Sequence, residues 1–187
     1  MSSCAALTLS LCAWPGAAYA FDPHPAVEQV GVAVVFTPGD EAAQLIIESL
    51  NAAHERILIQ VFSFTNRDIA RALISAQRRG VDVEVISDAA ESHRYAHGAL
   101  ALLVASGVPV YIDEEHASAH NKVMVIDEGT PNAAVLTGSY NFTYAAQTRN
   151  AENLLLLRGG AHTTQSFADN WRLHRAHSRA YVPSARD

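Results

Sequence analysis

One short segment places an imidazole beside the only lysine of the chain. It reads His-Asn-Lys-Val-Met-Val-Ile-Asp from His120 to Asp127, and Lys122 is the one lysine among 13 basic residues. On an extended chain, side chains two positions apart point to the same side. The ammonium group of Lys122 can therefore neutralise an anion while the imidazole of His120 acts as a nucleophile or transfers a proton.

A second polar group follows in the stretch Gly138-Ser139-Tyr140-Asn141, and a carboxylate comes after it at Glu152. Ser139 and Asn141 share one side if the chain is extended there. Hydroxyl and amide donors, together with a lysine, suit the equatorial oxygens of a phosphoryl group. These residues therefore predict chemistry on a phosphate ester.

The elements that must position these residues alternate between strands and helices. Apolar runs predict strands at Val30–Phe36, Ile57–Phe64, Val81–Ser87, Val108–Ile112, Lys122–Ile126, Ala133–Thr137 and Asn153–Leu157. Helical spacing of apolar residues and capping signals predict helices after Asp40, after a Thr65-x-x-Asp68 capping box, and over Ala99–Ala105, Phe142–Arg149 and Thr163–His177. This alternation predicts an α/β fold with a mixed, largely parallel sheet flanked by helices on both faces.

The chain has 187 residues, of which 49% are apolar, so we expect one folded domain and exclude a disordered chain. Residues 1–20 carry no charged side chain and end in Ala18-Tyr19-Ala20, which predicts a signal peptide cleaved before Phe21. A short membrane anchor is the alternative, but the apolar run is too short to span a bilayer. We expect an exported protein, periplasmic or secreted, with a single catalytic domain over residues 21–187 and both cysteines removed.

The two motifs resemble the signature of the phospholipase D superfamily. H-x-K-x4-D over His120–Asp127, followed by G-S-x-N over Gly138–Asn141, is similar to that signature. The resemblance covers nearly the whole mature chain, including Phe36–Gly39, Gln60–Phe64 and Arg79–Val83. It is nearest to the small secreted bacterial endonucleases of the family, which carry the motif once per chain, and it implies their phospholipase D-like α-β-α sandwich.

The resemblance assigns the phosphate chemistry to four residues. His120 would attack phosphorus and form a phosphohistidine. Lys122 would hold the phosphate, together with Ser139 and Asn141. Family members of this type need no metal and no cofactor, because lysine and histidine carry the charge stabilisation.

Glu152 and Asp127 receive supporting roles from the same resemblance. Glu152 would hydrogen-bond His120 and set its tautomer and orientation. Asp127 completes the catalytic motif, although its part is more to support local structure than direct chemistry. The connection from Glu128 to Thr137 is longer than the family's usual one, which predicts a longer hairpin turn that keeps the strands in register and alters access to the site.

A chain with one motif lacks a second histidine to protonate the leaving oxygen. The resemblance implies a homodimer in which the two copies of His120 face each other across a two-fold axis. Two close imidazoles that share a proton titrate as a coupled pair, with one base and one acid near neutral pH.

The remaining histidines allow a metal interpretation that the spacing supports poorly. The pairs are His93 with His97, His116 with His120 beside Asp113, Glu114 and Glu115, and His174 with His177. The second pair lies in a loop that leads into a strand, where side chains four positions apart do not point at a common centre. The other two pairs lack a clear third ligand. We therefore expect surface histidines and no metal site.

The expected function is an exported, metal-independent phosphodiesterase, a sequence-nonspecific endonuclease on DNA or RNA. The net charge of −6 excludes binding of nucleic acid through bulk positive charge, so contact would depend on a local patch. Candidates for that patch are Arg67, Arg71, Arg78, Arg79 and Arg149. Two alternatives stay open: a lipid phosphodiesterase using the same site, and a catalytically inactive dimer that binds nucleic acid. We expect no stable membrane insertion after signal cleavage.

Overall fold

The computed structural model describes residues 27–95 and 98–183. The predicted signal peptide and His97 lie outside these residues. The strands are β1 Gly31–Thr37, β2 Arg56–Val61, β3 Asp82–Asp88, β4 Val110–Asp113, β5 Lys122–Ile126, β6 Ala134–Gly138, β7 Glu152–Arg158 and β8 Arg179–Ala180. The helices are α1 Ala42–Asn51, α2 Arg67–Arg78, α3 Ala89–Arg94, α4 Ala99–Ala105, α5 Tyr144–Thr148 and α6 Ala161–His177.

The strands of the described residues form one sheet in the order β1-β7-β6-β5-β2-β3-β4-β8. The expected mixed α/β fold with helices on both faces is confirmed. The expectation of a largely parallel sheet is wrong, because within the described chain only β2–β3 and β3–β4 pair in parallel. The two edge strands and the β5–β6 hairpin account for much of the difference, since a tight hairpin can only join antiparallel strands.

One face of the sheet is covered by α1, α2 and α4, whose apolar sides form the larger core. Helix α2 shows why the sequence folds this way: Ile69 and Leu73 are fully buried at helical spacing. Its N-cap is Asn66, whose side chain accepts hydrogen bonds from the backbone N–H groups of Asp68 and Ile69 at 2.9 and 3.2 Å. The expected cap at Thr65 is therefore wrong by one residue.

Among the described residues, the other face is covered over the middle of the sheet by α6. Trp171 is buried there, and its indole N–H donates to the carbonyl of Ile59 at 2.8 Å. Because α6 does not extend over β1, three side chains of that edge strand stay exposed, Val32 by 52%, Val34 by 46% and Phe36 by 61%.

The sheet topology brings three strand ends together at one edge. Lys122 begins β5, Gly138 ends β6 and Glu152 begins β7, and β6 lies between β5 and β7 and is antiparallel to both. In such an arrangement the start of one strand lies beside the end of the next. Segments far apart in sequence therefore deliver their polar residues to the same place.

Candidate active site

Five of the six predicted site residues line one open cleft of about 550 Å³ at this edge. They are His120, Lys122, Ser139, Asn141 and Glu152. Most other lining residues are polar or small as well, with Val123 as the apolar exception. The convergence that the spacing predicted is therefore present in the fold.

His120 and Lys122 lie on the same side of the chain and touch. Lys122 Nζ lies 3.0 Å from His120 Nδ1 and donates to the His120 carbonyl oxygen at 2.8 Å. Phe62 supports both groups, because its ring lies 4.5 Å from the imidazole centroid and 4.8 Å from the ammonium nitrogen. Sequence reasoning missed Phe62 as a site residue; the signal was its position directly after β2, the strand that pairs with β5.

Burial sets the charge state of Lys122. Desolvation lowers the pKa of its ammonium group to about 8, against the carboxylates of Glu152 and Asp88, which raise it. The desolvation effect is larger because the side chain is enclosed beside Phe62. An ammonium group desolvated in this way interacts strongly with an incoming anion.

Ser139 joins the ends of β6 and β7. Its hydroxyl donates to Glu152 Oε2 at 2.6 Å and accepts from the backbone N–H of Asn153 at 3.1 Å. Gly138 permits this close approach: its φ is +149°, and a Cβ there would lie 2.4 Å from the Asn153 carbonyl oxygen. The glycine of the motif is thus required by the backbone, and the serine orients the carboxylate.

The residues after Gly138 alternate between cleft and core. Tyr140 and Phe142 are buried in the larger core, and burial raises the pKa of the Tyr140 hydroxyl to about 12. The intervening Asn141 faces the cleft, and its Oδ1 is buried without a hydrogen-bond partner among the described residues. An unsatisfied buried amide costs about 1–3 kcal/mol, and rotating that amide would offer its N–H₂ donors to a phosphate oxygen instead.

Glu152 does not make the contact expected of it. Its carboxylate accepts from Ser139 and, at 3.0 Å, from the side chain of Asn150, whereas the described contacts of the His120 ring are with Lys122 and Phe62. The reason is geometric, because β5 and β7 flank β6 and lie roughly 10 Å apart. Both groups nevertheless line the same cleft.

Asp127 does not line the cleft, so its assignment to the catalytic residues is wrong. It follows the last residue of β5, roughly 16 Å of strand away from Lys122. Its buried carboxylate accepts backbone N–H groups of His54, Glu55 and Arg56 at 2.8–3.0 Å. Asp127 therefore holds the start of β2 against the end of β5, which is the supporting role the sequence suggested for it.

The long connection after Asp127 forms the β5–β6 hairpin. The strands stay in register, from Ile126 opposite Ala134 to Val123 opposite Thr137, as predicted. The turn lies at the Asp127 end, away from the cleft, so the expectation that this loop alters access to the site is wrong.

The arginines proposed as a patch are not equally placed. Arg67 begins α2 beside Asn66, whose N–H donates to the Phe142 carbonyl, and Arg149 lies shortly before Glu152, so both belong to segments next to the site. Arg78 and Arg79 lie at the other end of α2, roughly 16 Å along the helix from Arg67. Of the others, Arg71 pairs with Asp68 at 2.5 Å, and Arg79 is held by the carbonyls of Leu50 and Ala53.

The remaining histidines behave differently from the sequence expectation. His116 does not turn toward His120 but packs with His174 and His177 around Asp113. The expectation that His174 and His177 lack a third ligand is therefore wrong. The separation of about sixty residues between the two segments hid their contact.

Comparisons with known proteins agree with the fold and the motifs. Residues 46–171 match the family described as "Cardiolipin synthase, PLD-like domain". The chain is 35% identical over 147 residues to "Phospholipase D" of Rickettsia typhi, covering 79% of this chain and 69% of that protein. It is 36% identical over 118 residues to "Mitochondrial cardiolipin hydrolase" of Xenopus laevis, covering 63% of this chain and 53% of that protein.

A solved structure shows the same architecture. It is the phospholipase D family member Nuc from Salmonella typhimurium, with a TM-score of 0.74 and 31% sequence identity. The similarity covers 82% of this chain and 99% of Nuc. Together with the match over 46–171 and the five site residues that line one cleft, these relatives establish that the chain is a phosphodiesterase of the phospholipase D superfamily.

Proposed function

We propose that the protein is a metal-independent endonuclease that cleaves DNA, and RNA as a second substrate, without sequence preference. The observation that carries this proposal is the composition of the cleft. Its polar lining suits a phosphodiester and its flanking nucleotides, whereas a lipid also needs an apolar surface for its acyl chains. Arg67 and Arg149 are exposed in segments next to the cleft, and neither takes part in an ion pair among the described residues, so we propose that both contact a polyanionic backbone.

The reaction has two steps. In the first, Nε2 of His120 attacks phosphorus and the P–O bond to the leaving nucleoside oxygen breaks, while that oxygen takes a proton from a second imidazole. In the second, water attacks the phosphohistidine, that second imidazole takes the proton of the water, and the N–P bond breaks. Lys122 and Asn141 stabilise the charge on the phosphoryl oxygens throughout.

The arrangement around Nδ1 of His120 has a consequence for the first step. A charged Lys122 donates to Nδ1, which leaves the proton of a neutral imidazole on Nε2. A nucleophilic Nε2 needs that proton on Nδ1 instead. When a phosphate draws the ammonium group away, Nδ1 is free to carry the proton, so substrate binding and activation of the nucleophile are coupled.

Charge stabilisation without a metal is supported by the donor set of the cleft. Lys122 supplies a fixed positive charge, and the one carboxylate among the lining residues, Glu152, is already engaged by Ser139 and Asn150. A divalent cation in a hydrolytic site is held by several convergent carboxylates or imidazoles. In the described part of the chain, such a group occurs only away from the cleft, around Asp113.

The second imidazole is proposed to come from a second copy of the chain. Val34 of the exposed β1 face pairs with Leu155, which pairs with Thr137 of the cleft. The exposed apolar surface of β1 is therefore continuous with the cleft. If a symmetric dimer buried this surface, the clefts of the two subunits would come together. Phe36, exposed by 61%, is the largest side chain of this surface.

Export to the periplasm or medium is part of the same proposal and is supported by the composition of residues 1–20. Among the described residues, no helix has the length and apolar character needed to cross a bilayer. We accordingly propose that the mature protein is not stably inserted in a membrane.

The test is cleavage of plasmid DNA by the purified chain in excess EDTA, with His120→Ala as the control. Cleavage that survives the chelator and disappears in the variant is expected. Cleavage that requires added Mg²⁺ would overturn the mechanism.

A lipid phosphodiesterase is the second candidate, and one observation favours it: the exposed apolar side chains of β1 adjoin the cleft and could meet a membrane surface. Two relatives also bear the names phospholipase D and cardiolipin hydrolase. Vesicles of phosphatidylcholine and cardiolipin distinguish the two functions. Release of headgroup or phosphatidic acid at a rate exceeding DNA cleavage would favour the lipid substrate.

A further inference from the structure

Three imidazoles surround one buried carboxylate at the end of β4, away from the cleft. The histidine–aspartate cluster consists of Asp113, His116, His174 and His177. Asp113 Oδ2 lies 3.0 Å from the Nδ1 atoms of both His116 and His174, and 3.3 Å from Nε2 of His177. The Asp113 side chain is fully buried, whereas the imidazoles are partly exposed, so the cluster opens to solvent on one side.

The distances from the Asp113 oxygen to the three imidazole nitrogens fit the ligand spacing of a tetrahedral metal. Zinc bound by nitrogen and oxygen ligands at about 2.0–2.1 Å has ligand atoms roughly 3.3 Å apart. The three nitrogen–oxygen distances of the cluster match that edge length, and its four ligand atoms all lie within 4.8 Å of one another.

The surroundings of the cluster are those of a metal site. His177 points Nε2 at Asp113 while its Nδ1 lies 3.4 Å from Glu115 Oε2. A carboxylate on the far nitrogen of a ligating imidazole fixes its tautomer and raises its basicity.

We propose that the histidine–aspartate cluster binds one zinc ion and that this zinc fastens the C-terminal helix α6 to the sheet. The ligands come from the end of β4, from the loop after it and from the last turn of α6. His116 and His120 lie in the same β4–β5 loop, so the zinc also anchors the loop that carries the candidate nucleophile. The inference does not depend on the substrate proposed above, since it concerns metal content and stability.

The test uses the full chain without a histidine tag, loaded with Zn²⁺, dialysed and analysed for metal. The variants are His174→Gln, His177→Gln and their double variant. His162→Gln is the matched control, because His162 is an exposed residue of the same helix outside the cluster. Co²⁺ in place of Zn²⁺ reports the coordination through the visible spectrum of its tetrahedral complexes.

We expect about one zinc per chain in the wild type and in His162→Gln, a tetrahedral cobalt spectrum, and a melting temperature that falls when the metal is removed. The double variant should retain less than about a tenth of that zinc and show no shift of its melting temperature on EDTA treatment. Equal zinc in the wild type and a folded double variant, or none in the wild type, would overturn the proposal. Circular dichroism establishes whether each variant is folded. If the double variant is unfolded, the single variants replace it in the comparison of zinc content with the wild type.

Discussion

Lys122 Nζ lies 3.0 Å from Nδ1 of His120 and also donates to its carbonyl oxygen. The two groups expected to divide the chemistry between them are therefore in direct contact before a phosphate is present. The contact makes Nδ1 of His120 a hydrogen-bond acceptor, so Nε2 becomes the nucleophile only when Lys122 turns from the imidazole to a phosphate.

The charge of Lys122 should set the basic limb of the pH profile. Burial lowers its pKa to about 8, so the ammonium group loses its proton, and the site its fixed charge, as the pH rises through that value. We expect kcat/KM to fall above about pH 8. Lys122→Arg should be slower but lose this limb, because guanidinium stays charged, and Lys122→Ala should lose about 2.7–4 kcal/mol of transition-state stabilisation or somewhat more. A wild-type profile that stays flat to pH 10 would contradict this role.

His120→Ala should lower turnover by on the order of 10⁴-fold or more while leaving the fold intact. The side chain is exposed and contacts Phe62 and Lys122 at the rim of the cleft, so its loss removes little packing. Single-turnover cleavage measures the chemical step and circular dichroism the melting temperature. His54→Ala, an exposed histidine at the Asp127 end of the sheet, is the control that should keep full activity. Near-normal turnover by His120→Ala would exclude a phosphohistidine at this residue.

The convergence of the cleft residues could be predicted from the sequence because each of them sits at a strand end or in a short segment beside one. The alternation at Ser139, Tyr140, Asn141 and Phe142 follows from extended backbone, with polar residues outward and aromatic residues buried. The position of Glu152 relative to His120 could not be predicted, since it depends on β6 lying between the two strands that carry them.

The direction of the strands and the contacts between distant segments could not be predicted from the sequence. Hydrophobic runs indicate strands but not their neighbours, so the antiparallel pairing of β1 with β7 was not visible in the sequence. His174 and His177 meet Asp113 because α6 packs across the sheet and returns to β4. The spacing of His174 and His177 within α6 predicts that they share one side of the helix, but it does not indicate that they contact the carboxylate of Asp113.

Asp127→Asn should reduce stability without changing the chemistry. The Asp127 carboxylate accepts three backbone N–H groups, and an asparagine keeps one oxygen but places an N–H₂ group against the remaining donors. We expect the free energy of unfolding to fall by about 1–3 kcal/mol, measured by urea denaturation. The φ of +49° at this position favours asparagine among the uncharged replacements, so Asp127→Ala should be less stable still.

Activity separates this role of Asp127 from a catalytic one. At a temperature well below the melting point of the variant, kcat of Asp127→Asn should equal that of the wild type. A loss of kcat without a loss of stability would mean that Asp127 acts on the cleft in spite of its distance from it.

Phe36→Asp should weaken the proposed dimer. Phe36 is the largest exposed side chain of the β1 surface, and a carboxylate there would have to be desolvated on association. Light scattering after size-exclusion chromatography should show a monomer for this variant and a dimer for the wild type and for Phe36→Leu, the apolar control. A dimeric Phe36→Asp would place the interface elsewhere.

A mixing experiment tests whether both copies of His120 serve one reaction. Wild type and His120→Ala are unfolded together in equal amounts and refolded, with wild type refolded alone as the reference. If a dimer needs both imidazoles, hybrid dimers are inactive and the mixture retains about one quarter of the reference activity per total chain, rather than one half. The value of one quarter follows from random pairing of the two kinds of chain. If wild type and variant carry different tags, the yield of hybrid dimer verifies that pairing is random. Half the activity at full hybrid formation would mean that each subunit works alone, and the proton donor would then have to come from within the chain.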